Sequence, residues 1–378
     1  MRPKHGSILS LFFVVVLALL SDAHSSANLS LFFWISHSEA KYPVEKKAAN
    51  LKGARSCGAR FTTQNALVSN NMRVKLTRSP NNPIIEPRPG IEWESMATFN
   101  PGAVKNGEVT HILYRAVNKH SISSLGYAAT TDGETIAYRS VEPVLSPGGP
   151  WEEWGCEDPR ITAFDGTYYV FYTAYSRRGP RIALASTSDF KNYKRYGLVG
   201  PDRDDKDCVL FPQLIGGQVA IIHRIVPNIE LAFLDSIEQM ETSNPYWRDY
   251  LKHIEANTIM KPLWNWEEKK VGIGPPPIRT DAGWLVIYHG VDSYNVYRVG
   301  AALLDPEDPR RVIARTPEPI LEPEEEFERV GVVPNVVFPE GAVVMKDELK
   351  VFYGGADRVC CLASAPLKLL TEVLQGYS

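Results

Sequence analysis

Beyond residue 72, short apolar and aromatic segments alternate with turn residues in a repeated order. In each repeat, a segment rich in Val, Ile, Leu, Tyr and Phe ends next to a polar residue, and a second segment of small and apolar residues follows a turn. Runs of this length and composition are typical of β-strands. The paired segments are 111–115 with 125–129, 168–172 with 181–185, 219–223 with 231–234, 284–288 with 297–303, and 350–353 with 359–363.

The five repeats predict an all-β fold, specifically a five-bladed β-propeller. They recur at intervals of roughly 50–65 residues, the scale of one four-stranded blade with its loops. Because one blade cannot cover its own apolar faces, five would close into a ring around a central channel. A β-sandwich is the alternative arrangement. The mixed-charge stretch 235–258 has the one helical pattern, and we expect it to be an insertion between blades.

The N-terminus has a different pattern. Arg2 and Lys4 precede an apolar run at about 8–20, and small residues follow, which predicts a secretory signal peptide over residues 1–27. The predicted location is therefore the secretory pathway or the outside of the cell. An uncleaved membrane anchor is the alternative, because residues 31–35 form a second short apolar patch.

Composition narrows the picture further. Residues 28–71 are polar without a sustained period, so we predict a poorly ordered linker and a single catalytic domain over 72–378. Lys plus Arg number 41 against 44 Asp plus Glu, a formal charge of −3, which argues against a nucleic-acid partner. The five cysteines show no metal-ligand spacing, and we expect the adjacent Cys360 and Cys361 to be buried in a strand rather than disulfide-bonded.

The segment 154–160, Trp-Gly-Cys-Glu-Asp-Pro-Arg, places two adjacent carboxylates and an arginine at a predicted strand entrance. A carboxylic acid held at a rigid strand end beside an apolar channel can keep its proton near neutral pH and act as a general acid. The alternative is that Glu157, Asp158 and Arg160 form a structural cluster of salt bridges.

Cationic and phenolic residues recur at the predicted blade edges, and a channel mouth that collects them would bind an oxyanion such as phosphate. These residues are Lys206, His223-Arg224, Lys270, His289 and Tyr297-Arg298. The first blades and the last carry groups that suit a sugar, namely Asn100, Arg115, Glu340 and Asp357 with the aromatic residues Trp93, Tyr114 and Trp154. The chain has no glycine-rich phosphate loop, zinc motif or Ser-His-Asp order.

These segments resemble, in their order along the chain, glycoside hydrolase family 130, the inverting β-mannoside phosphorylases and related β-mannosidases. The matching motifs include Phe99-Asn-Pro-Gly-Ala103, Tyr114-Arg-Ala116, Glu157-Asp-Pro-Arg160, Leu210-Phe-Pro212, Gly274-Pro-Pro-Pro-Ile278, Tyr288-His-Gly290, Tyr297-Arg-Val-Gly300 and Tyr353-Gly-Gly-Ala-Asp357. The resemblance covers residues 72–375 and implies a five-bladed propeller, which agrees with the count of repeats.

The resemblance also implies residue roles. Asp158 corresponds to the general acid, whose proton reaches the glycosidic oxygen through a hydroxyl of the bound mannose. The contacts to the mannosyl unit are Asn100, Arg115 and Asp357. The phosphate-binding set is Lys206, Arg224, Lys270, His289 and Tyr297. The implied substrates are a β-mannosyl oligosaccharide or glycan and inorganic phosphate, with no cofactor or metal, and a homo-oligomer is possible.

Phosphorolysis with inversion would convert a β-mannoside to α-mannose 1-phosphate and a shortened acceptor. Phosphate is already anionic, so cations rather than a general base hold it in line, whereas an inverting hydrolase needs a second carboxylate. Two positions depart from the family pattern. Gln213 stands where an acidic residue is common, and Glu340 supplies a carboxylate that could serve as such a base. An inverting β-mannosidase and a non-catalytic glycan-binding propeller are therefore the alternative functions.

Overall fold

The computed structural model describes residues 73–377, so the predicted signal peptide and linker lie outside the described residues. The described part confirms an all-β fold, with strands in every predicted repeat. Its α-helices are short, and none has the length and apolar character that a bilayer crossing requires. They are Pro245–Lys252, Ile254–Asn257, Glu326–Arg329 and Leu367–Gln375.

The strands form five antiparallel groups, here called units one to five, with four strands in each except unit four, which has five. Unit one contains β2 (Ala97–Asn106), β3 (Val109–Val117), β4 (Ser123–Thr130) and β5 (Tyr138–Arg139). Unit two contains β6 (Gly155–Phe164), β7 (Thr167–Ser176), β8 (Gly179–Thr187) and β9 (Lys194–Leu198). A single parallel pair, Ser123 with Gly155, joins these two units.

The remaining units follow the same order along the chain. Unit three contains β10 (Lys206–Leu210), β11 (Val219–Arg224), β12 (Ile229–Leu234) and β13 (Thr258–Met260). Unit four contains β14 (Lys270–Ile273), β16 (Gly283–Val291), β17 (Tyr297–Leu304) and β18 (Val312–Arg315), and β15 (Ile278–Thr280) pairs with β16. Unit five contains β19 (Val337–Met345), β20 (Glu348–Gly355), β21 (Val359–Pro366) and, as its outer strand, β1 (Thr77–Arg78).

Each unit buries its apolar faces against two neighbouring units, including the first unit against the fifth. The buried clusters pair residues across every such boundary. Examples, from unit one onward, are Leu113 with Val170, Leu184 with Ile221, Ile222 with Val286, Leu285 with Val351, and Phe352 with Ile112. Burial of these faces supplies the main driving force for the assembly, since one unit alone would expose both of them.

The first strands of the units also touch one another. Thr162 in β6 donates from Oγ1 to the carbonyl of Leu210 in β10 at 3.2 Å, and a Cβ at Gly341 in β19 would lie 2.6 Å from the amide nitrogen of Ala103 in β2. Gly341 therefore permits the close approach of the first strands of units five and one.

Three of these first strands carry a bulge at the same place. The register shifts between Phe99 and Gly102 in β2, between Glu157 and Arg160 in β6, and between Lys206 and Val209 in β10. Each bulge contains a residue in the left-handed region, at φ of 51° for Asn100 and 56° for Asp158 and Asp207. Asn and Asp tolerate this conformation better than other residues that carry a Cβ. The carboxylate pair predicted at a strand entrance thus lies within β6.

Four units share a buried triad of glutamate, tyrosine and arginine. The tyrosine is in the second strand and donates its hydroxyl to a glutamate that precedes the first strand, while an arginine of the outermost strand pairs with the same carboxylate. The tyrosine–glutamate bonds are Tyr114–Glu94 (2.9 Å), Tyr172–Glu152 (2.6 Å), Tyr288–Glu267 (2.6 Å) and Tyr353–Glu328 (2.8 Å). The arginines are Arg139, Arg195, Arg315 and Arg78. Because side chains alternate along a strand, the residue after each tyrosine faces the opposite side of its sheet.

The helical prediction is correct in kind but wrong in place. Asn244 caps the helix Pro245–Lys252 by accepting from the backbone N–H of Tyr246 at 2.9 Å. This helix lies between β12 and β13, inside unit three rather than between two units. The prediction of buried, unpaired Cys360 and Cys361 in a strand is confirmed by their place in β21.

Candidate active site

A buried group at the bulge of β6 brings together residues from the first two units, and we call it the carboxylate cluster (Asn100, Arg115, Glu157 and Asp158). Oδ1 of Asp158 accepts from Nδ2 of Asn100 at 2.9 Å and from Nη1 of Arg115 at 3.2 Å. Nη2 of Arg115 donates to Oε1 of Glu157 at 2.6 Å, and its Nε donates to Oγ of Ser123 at 3.0 Å. The guanidinium of Arg115 therefore orients both carboxylates.

The protonation state of Asp158 differs from the expectation. Burial alone would raise the pKa of this carboxyl, but Arg115, Lys206 and the Asn100 amide together hold the pKa below its ordinary value. The prediction that the acid keeps its proton near neutral pH is therefore wrong for the unliganded site. The sequence showed the apolar surroundings but not the two cations that converge on the carboxylate.

The alternative of a salt-bridge cluster among Glu157, Asp158 and Arg160 is also wrong, because Arg160 turns away from both carboxylates. It reaches Asp158 only through the backbone carbonyl, at 3.1 Å. Its carboxyl partners are Asp207, at 3.0 Å, and Glu340, at 3.3 Å. Its Nη2 also donates to the carbonyl of Ile273 in β14 at 3.3 Å, so the buried Arg160 side chain links the first strands of four units.

Lys206 lies beside the carboxylate cluster. Its Nζ is 3.5 Å from Oε2 of Glu157 and 3.8 Å from Oδ2 of Asp158. Burial would lower the pKa of Lys206, but Glu157 and Asp158 raise it, so the ammonium stays charged. Lys206 also pairs across β10 and β11 with Arg224, which places it between the carboxylate cluster and the second group of the site.

That second group, the cation cluster (Arg224, Lys270, His289 and Tyr297), adjoins the carboxylate of Asp207, which Arg224 and His289 approach directly. Nε of Arg224 is 3.0 Å and Nε2 of His289 is 3.9 Å from Oδ2 of Asp207. Nζ of Lys270 lies 5.2 Å from the centre of the Tyr297 ring. A Cβ at Gly272 would lie 2.6 Å from Oδ2 of Asp207, so only glycine leaves room for this carboxylate.

In the cation cluster, the basic side chains of Arg224, Lys270 and His289 outnumber the neighbouring carboxylate, Asp207. Burial, with the nearby Arg224, lowers the pKa of Lys270 well below its ordinary value, and burial with Arg224 and Lys270 does the same for His289. Nε2 of His289 lies 3.4 Å from Nη1 of Arg224 and accepts from it, so Nδ1 carries the proton. This buried Nδ1 has no hydrogen-bond partner within residues 73–377. A buried donor without a partner and basic groups with lowered pKa values suit an anionic ligand.

Asp357 lies in the turn between β20 and β21, within electrostatic reach of the carboxylate cluster. Burial raises its pKa to about 7, and the neighbouring Asp158 adds to the shift while Arg115 opposes it. Its carboxyl makes no hydrogen bond to the described part of the chain, so it is free to bind a ligand hydroxyl. Gly354, which follows the buried Tyr353, leaves space for the side chain of Asn100.

Glu340 is fully buried behind Arg160 and does not join either cluster. Neither carboxylate oxygen has a hydrogen-bond partner in residues 73–377, and burial raises its pKa well above the ordinary value. A general base must be ionised and must reach its water. The raised pKa favours the protonated form of Glu340, and its full burial separates it from solvent, so it is poorly suited to both requirements.

The aromatic residues considered for sugar stacking separate into two groups. Tyr114 is fully buried in the triad of unit one, and Trp93 packs on its ring at 6.3 Å, so these two predictions are wrong. Trp154 is half-buried and packs edge-on against Tyr175 at 5.0 Å. Nζ of Lys206 lies 5.7 Å from the Tyr175 ring centre, so this aromatic pair borders the site.

The structure also corrects two cationic candidates. His223 is fully buried between Asp205 and Tyr250, and Arg298 pairs with Asp292 at 2.7 Å at the edge of a hairpin. The sequence missed Asp207, the carboxylate within the cation cluster, and Ser123. The sequence offered one indication of Asp207. Like Asn100 and Asp158, it is an Asn or Asp near the start of a repeat, and all three hold the bulge position of a first strand. Within residues 73–377, no three His, Cys, Asp or Glu side chains are arranged to hold a metal ion.

Comparison with known proteins covers the same region. A family model described as beta-1,4-mannooligosaccharide phosphorylase matches residues 73–375. A 1,2-beta-oligomannan phosphorylase from Thermoanaerobacter sp. (strain X514) is 42% identical over 306 residues, 78% of this chain and 98% of that protein. A beta-1,2-mannobiose phosphorylase from the same strain is 42% identical over 300 residues, 75% of this chain and 94% of that protein. A solved complex of beta-1,2-mannobiose phosphorylase from Listeria innocua with beta-1,2-mannobiose has a TM-score of 0.70 at 26% identity, over 79% of this chain and 99% of that one.

Proposed function

This chain belongs to glycoside hydrolase family 130, and we propose that it cleaves a β-mannoside with inorganic phosphate to give α-mannose 1-phosphate and a shortened acceptor. The observation that carries this proposal is the cation cluster. Nε of Arg224 and Nε2 of His289 lie 3.0 and 3.9 Å from Oδ2 of Asp207. Burial and the neighbouring cations lower the pKa of Lys270 and of His289 well below their ordinary values. A phosphate dianion supplies the charge that this group lacks.

In this proposal the carboxylate cluster binds the sugar. Asn100, Arg115 and Asp357 hold the mannosyl unit, and Asp158 donates a proton that reaches the glycosidic oxygen through a hydroxyl of the mannose. Asp158 is ionised without ligands, so it must gain a proton first. Phosphate draws Lys206 away from Asp158 and adds negative charge, and both effects raise the pKa of that carboxyl.

The phosphate-binding set is Lys206, Arg224, Lys270, His289 and Tyr297. Held there, a phosphate oxygen attacks C1 of the mannosyl unit from the face opposite the leaving group. The bond from C1 to the glycosidic oxygen breaks, and that oxygen takes the proton relayed from Asp158. The hydrogen of hydrogen phosphate balances this proton overall, so the reaction needs neither a cofactor nor a second carboxylate as base.

We propose a β-1,2 linkage for the substrate, because both relatives at 42% identity are named for β-1,2-linked mannans. The half-buried pair Trp154 and Tyr175 lies beside Lys206, where its ring faces would stack on the acceptor sugar.

We propose that the five units are the blades of a propeller. Two features support this arrangement: each unit packs on two others, with unit five against unit one, and the first strands meet at Gly341 and Thr162. The outer strand of unit five is β1, so the two ends of the domain would join in one blade.

The predicted signal peptide supports a further proposal, that the enzyme enters the secretory pathway. Fusion of residues 1–27 to a reporter protein tests it, and retention of the reporter in the cytosol would contradict it.

Product analysis with and without phosphate tests the proposed activity. We expect purified enzyme and β-1,2-mannobiose to give α-mannose 1-phosphate and mannose only when inorganic phosphate is present. Release of free mannose at full rate without phosphate would identify a hydrolase, and binding without any product would identify a glycan-binding protein.

A further inference from the structure

Unit three departs from the triad shared by the other four units. Asp205 precedes its first strand, as the glutamates do, and His223 occupies the position of the tyrosine in the second strand. Nδ1 of His223 lies 2.7 Å from Oδ2 of Asp205, and its Nε2 lies 2.8 Å from the hydroxyl of Tyr250. A histidine with a partner on each ring nitrogen thus replaces a tyrosine hydroxyl.

The third member of this triad comes from the inserted helix. The outer strand β13 has only three residues and supplies no arginine to Asp205. Instead, Tyr250 projects from the helix Pro245–Lys252, and its hydroxyl also reaches the carbonyl of Leu231 at 3.4 Å. The Trp247 ring of the same helix packs edge-on against His223 at 6.3 Å. The insertion is therefore anchored to the second strand of unit three.

Both ends of the Asp205–His223 pair adjoin residues of the proposed phosphate site. Asp205 directly precedes Lys206, and His223 directly precedes Arg224. Lys206 and Arg224 are themselves cross-strand partners. A change in the position of either ring partner would therefore be transmitted through one peptide unit to an ammonium or guanidinium that contacts the ligand.

We propose that His223 is a positioning residue for phosphate, which through Asp205 and Tyr250 sets the places of Lys206 and Arg224. The inference rests on the proposed phosphorolysis and deepens it. Misplacement of a ligand-binding group by about 1 Å can reduce turnover on the order of 100-fold. The proposed mannosyl contacts Asn100, Arg115 and Asp357 lie on units one and five and do not touch this triad. Lys206 borders Asp158, so displacement of Lys206 should affect phosphate more strongly than the mannoside.

The experiment compares phosphate binding and kinetics across matched variants of the full chain. His223→Ala and Tyr250→Phe break the triad of unit three, and His223→Asn keeps a donor at the Nδ1 position. Tyr172→Phe is the control, because it removes the matching hydroxyl from unit two, where the next residue, Thr173, contacts no phosphate group. The measurements are Kd for inorganic phosphate by calorimetry and KM for phosphate and for mannobiose.

We expect His223→Ala and Tyr250→Phe to raise the Kd and KM for phosphate roughly 5- to 50-fold. KM for mannobiose should stay within about twofold, His223→Asn should recover part of the loss, and Tyr172→Phe should leave phosphate binding unchanged. An unchanged phosphate Kd in Tyr250→Phe, or equal effects on both substrates in all four variants, would overturn the inference. Wild-type enzyme that neither binds nor uses phosphate would overturn the proposed function itself.

Discussion

Nδ2 of Asn100 donates to Oδ1 of Asp158 at 2.9 Å, and this bond joins the bulges of β2 and β6. The contact fixes the orientation of the proposed acid, while Arg115 and Lys206 lower its pKa. The hydrogen bonds from Asn100 and Arg115 therefore fix the orientation of the carboxyl and also lower its pKa. Negative charge added by phosphate would raise the pKa while the bond to Asn100 keeps the orientation.

Replacing Asp158 by Asn should remove the proton donor while preserving the bond to Asn100 through the amide oxygen. We expect kcat to fall about 10²- to 10⁴-fold, the usual contribution of general acid catalysis. Binding of phosphate, measured by calorimetry, should change little. The control is Asp249→Asn on the exposed face of the helix Pro245–Lys252. Full turnover in Asp158→Asn would assign the acid role elsewhere.

Loss of a member of the cation cluster should weaken phosphate use selectively. For Arg224→Ala or His289→Ala we expect KM for phosphate to rise roughly 10- to 100-fold, because a hydrogen bond to a charged group contributes about 1.5–3 kcal/mol. KM for mannobiose should rise much less. Arg177, which is exposed and pairs with Glu153, provides the control as Arg177→Ala. Equal losses for both substrates would contradict a phosphate site.

Glu340→Gln distinguishes phosphorolysis from hydrolysis. Burial raises the pKa of Glu340, and the amide oxygen of Gln can keep the 3.3 Å contact to Nη1 of Arg160, so a neutral side chain of the same shape should be tolerated. We expect phosphate-dependent turnover within about threefold of wild type, since volume-conserving replacements disturb packing little. A hydrolase that used Glu340 as its base would instead lose its activity, which assays of mannose release without phosphate would reveal.

The acceptor sugar should depend on the aromatic pair beside Lys206. In the reverse reaction, from α-mannose 1-phosphate and mannose, Trp154→Ala should raise KM for the acceptor roughly 2- to 13-fold, since aromatic stacking contributes about 0.5–1.5 kcal/mol. KM for mannose 1-phosphate should stay near the wild-type value. Trp93→Ala is the control, because Trp93 packs on the structural Tyr114. An unchanged acceptor KM in Trp154→Ala would place the acceptor elsewhere.

Glu230 should make stability depend on pH. Burial raises its pKa to about 7, although His223 and the backbone N–H of Ile225 oppose the shift. Between its ordinary value of 4.5 and about 7, the folded state keeps a proton that the unfolded chain releases. The stability contributed by the protonated group is therefore present below pH 4.5 and is lost as pH rises through this window.

Glu230→Gln removes this titration and keeps an acceptor for the N–H of Ile225. We expect the variant to gain melting temperature over wild type at pH 8 and to gain little or none at pH 4.5. The difference should be on the order of 2 kcal/mol of unfolding free energy. Thermal unfolding at both pH values measures it, and an equal effect at the two would contradict the titration of Glu230.

The strands and many site positions were readable from the chain because their causes are local. Side chains alternate along a strand, so each of Tyr114, Tyr172, Tyr288 and Tyr353 faces one side of its sheet and the residue after it faces the other. The ordered motifs pointed to Asp158, Arg224 and His289, and the structure brings each of these into one of the two clusters. The alternatives for Trp93, Tyr114, His223 and Glu340 could not be resolved in this way, because exposure at a strand end depends on what other units place against it.

Only the tertiary structure decided the charges within the site. The pKa of Asp158 depends on Arg115 and Lys206, which lie on different strands and far away in sequence. The lowered pKa of Lys270 depends on its burial and on Arg224 beside it. Electrostatic interaction falls with distance and grows with burial, and neither quantity is encoded by a short motif. The sequence by itself determined the strand repeats and the chemical types of the site residues. Their convergence, and hence which of them hold protons, followed from packing five units against one another.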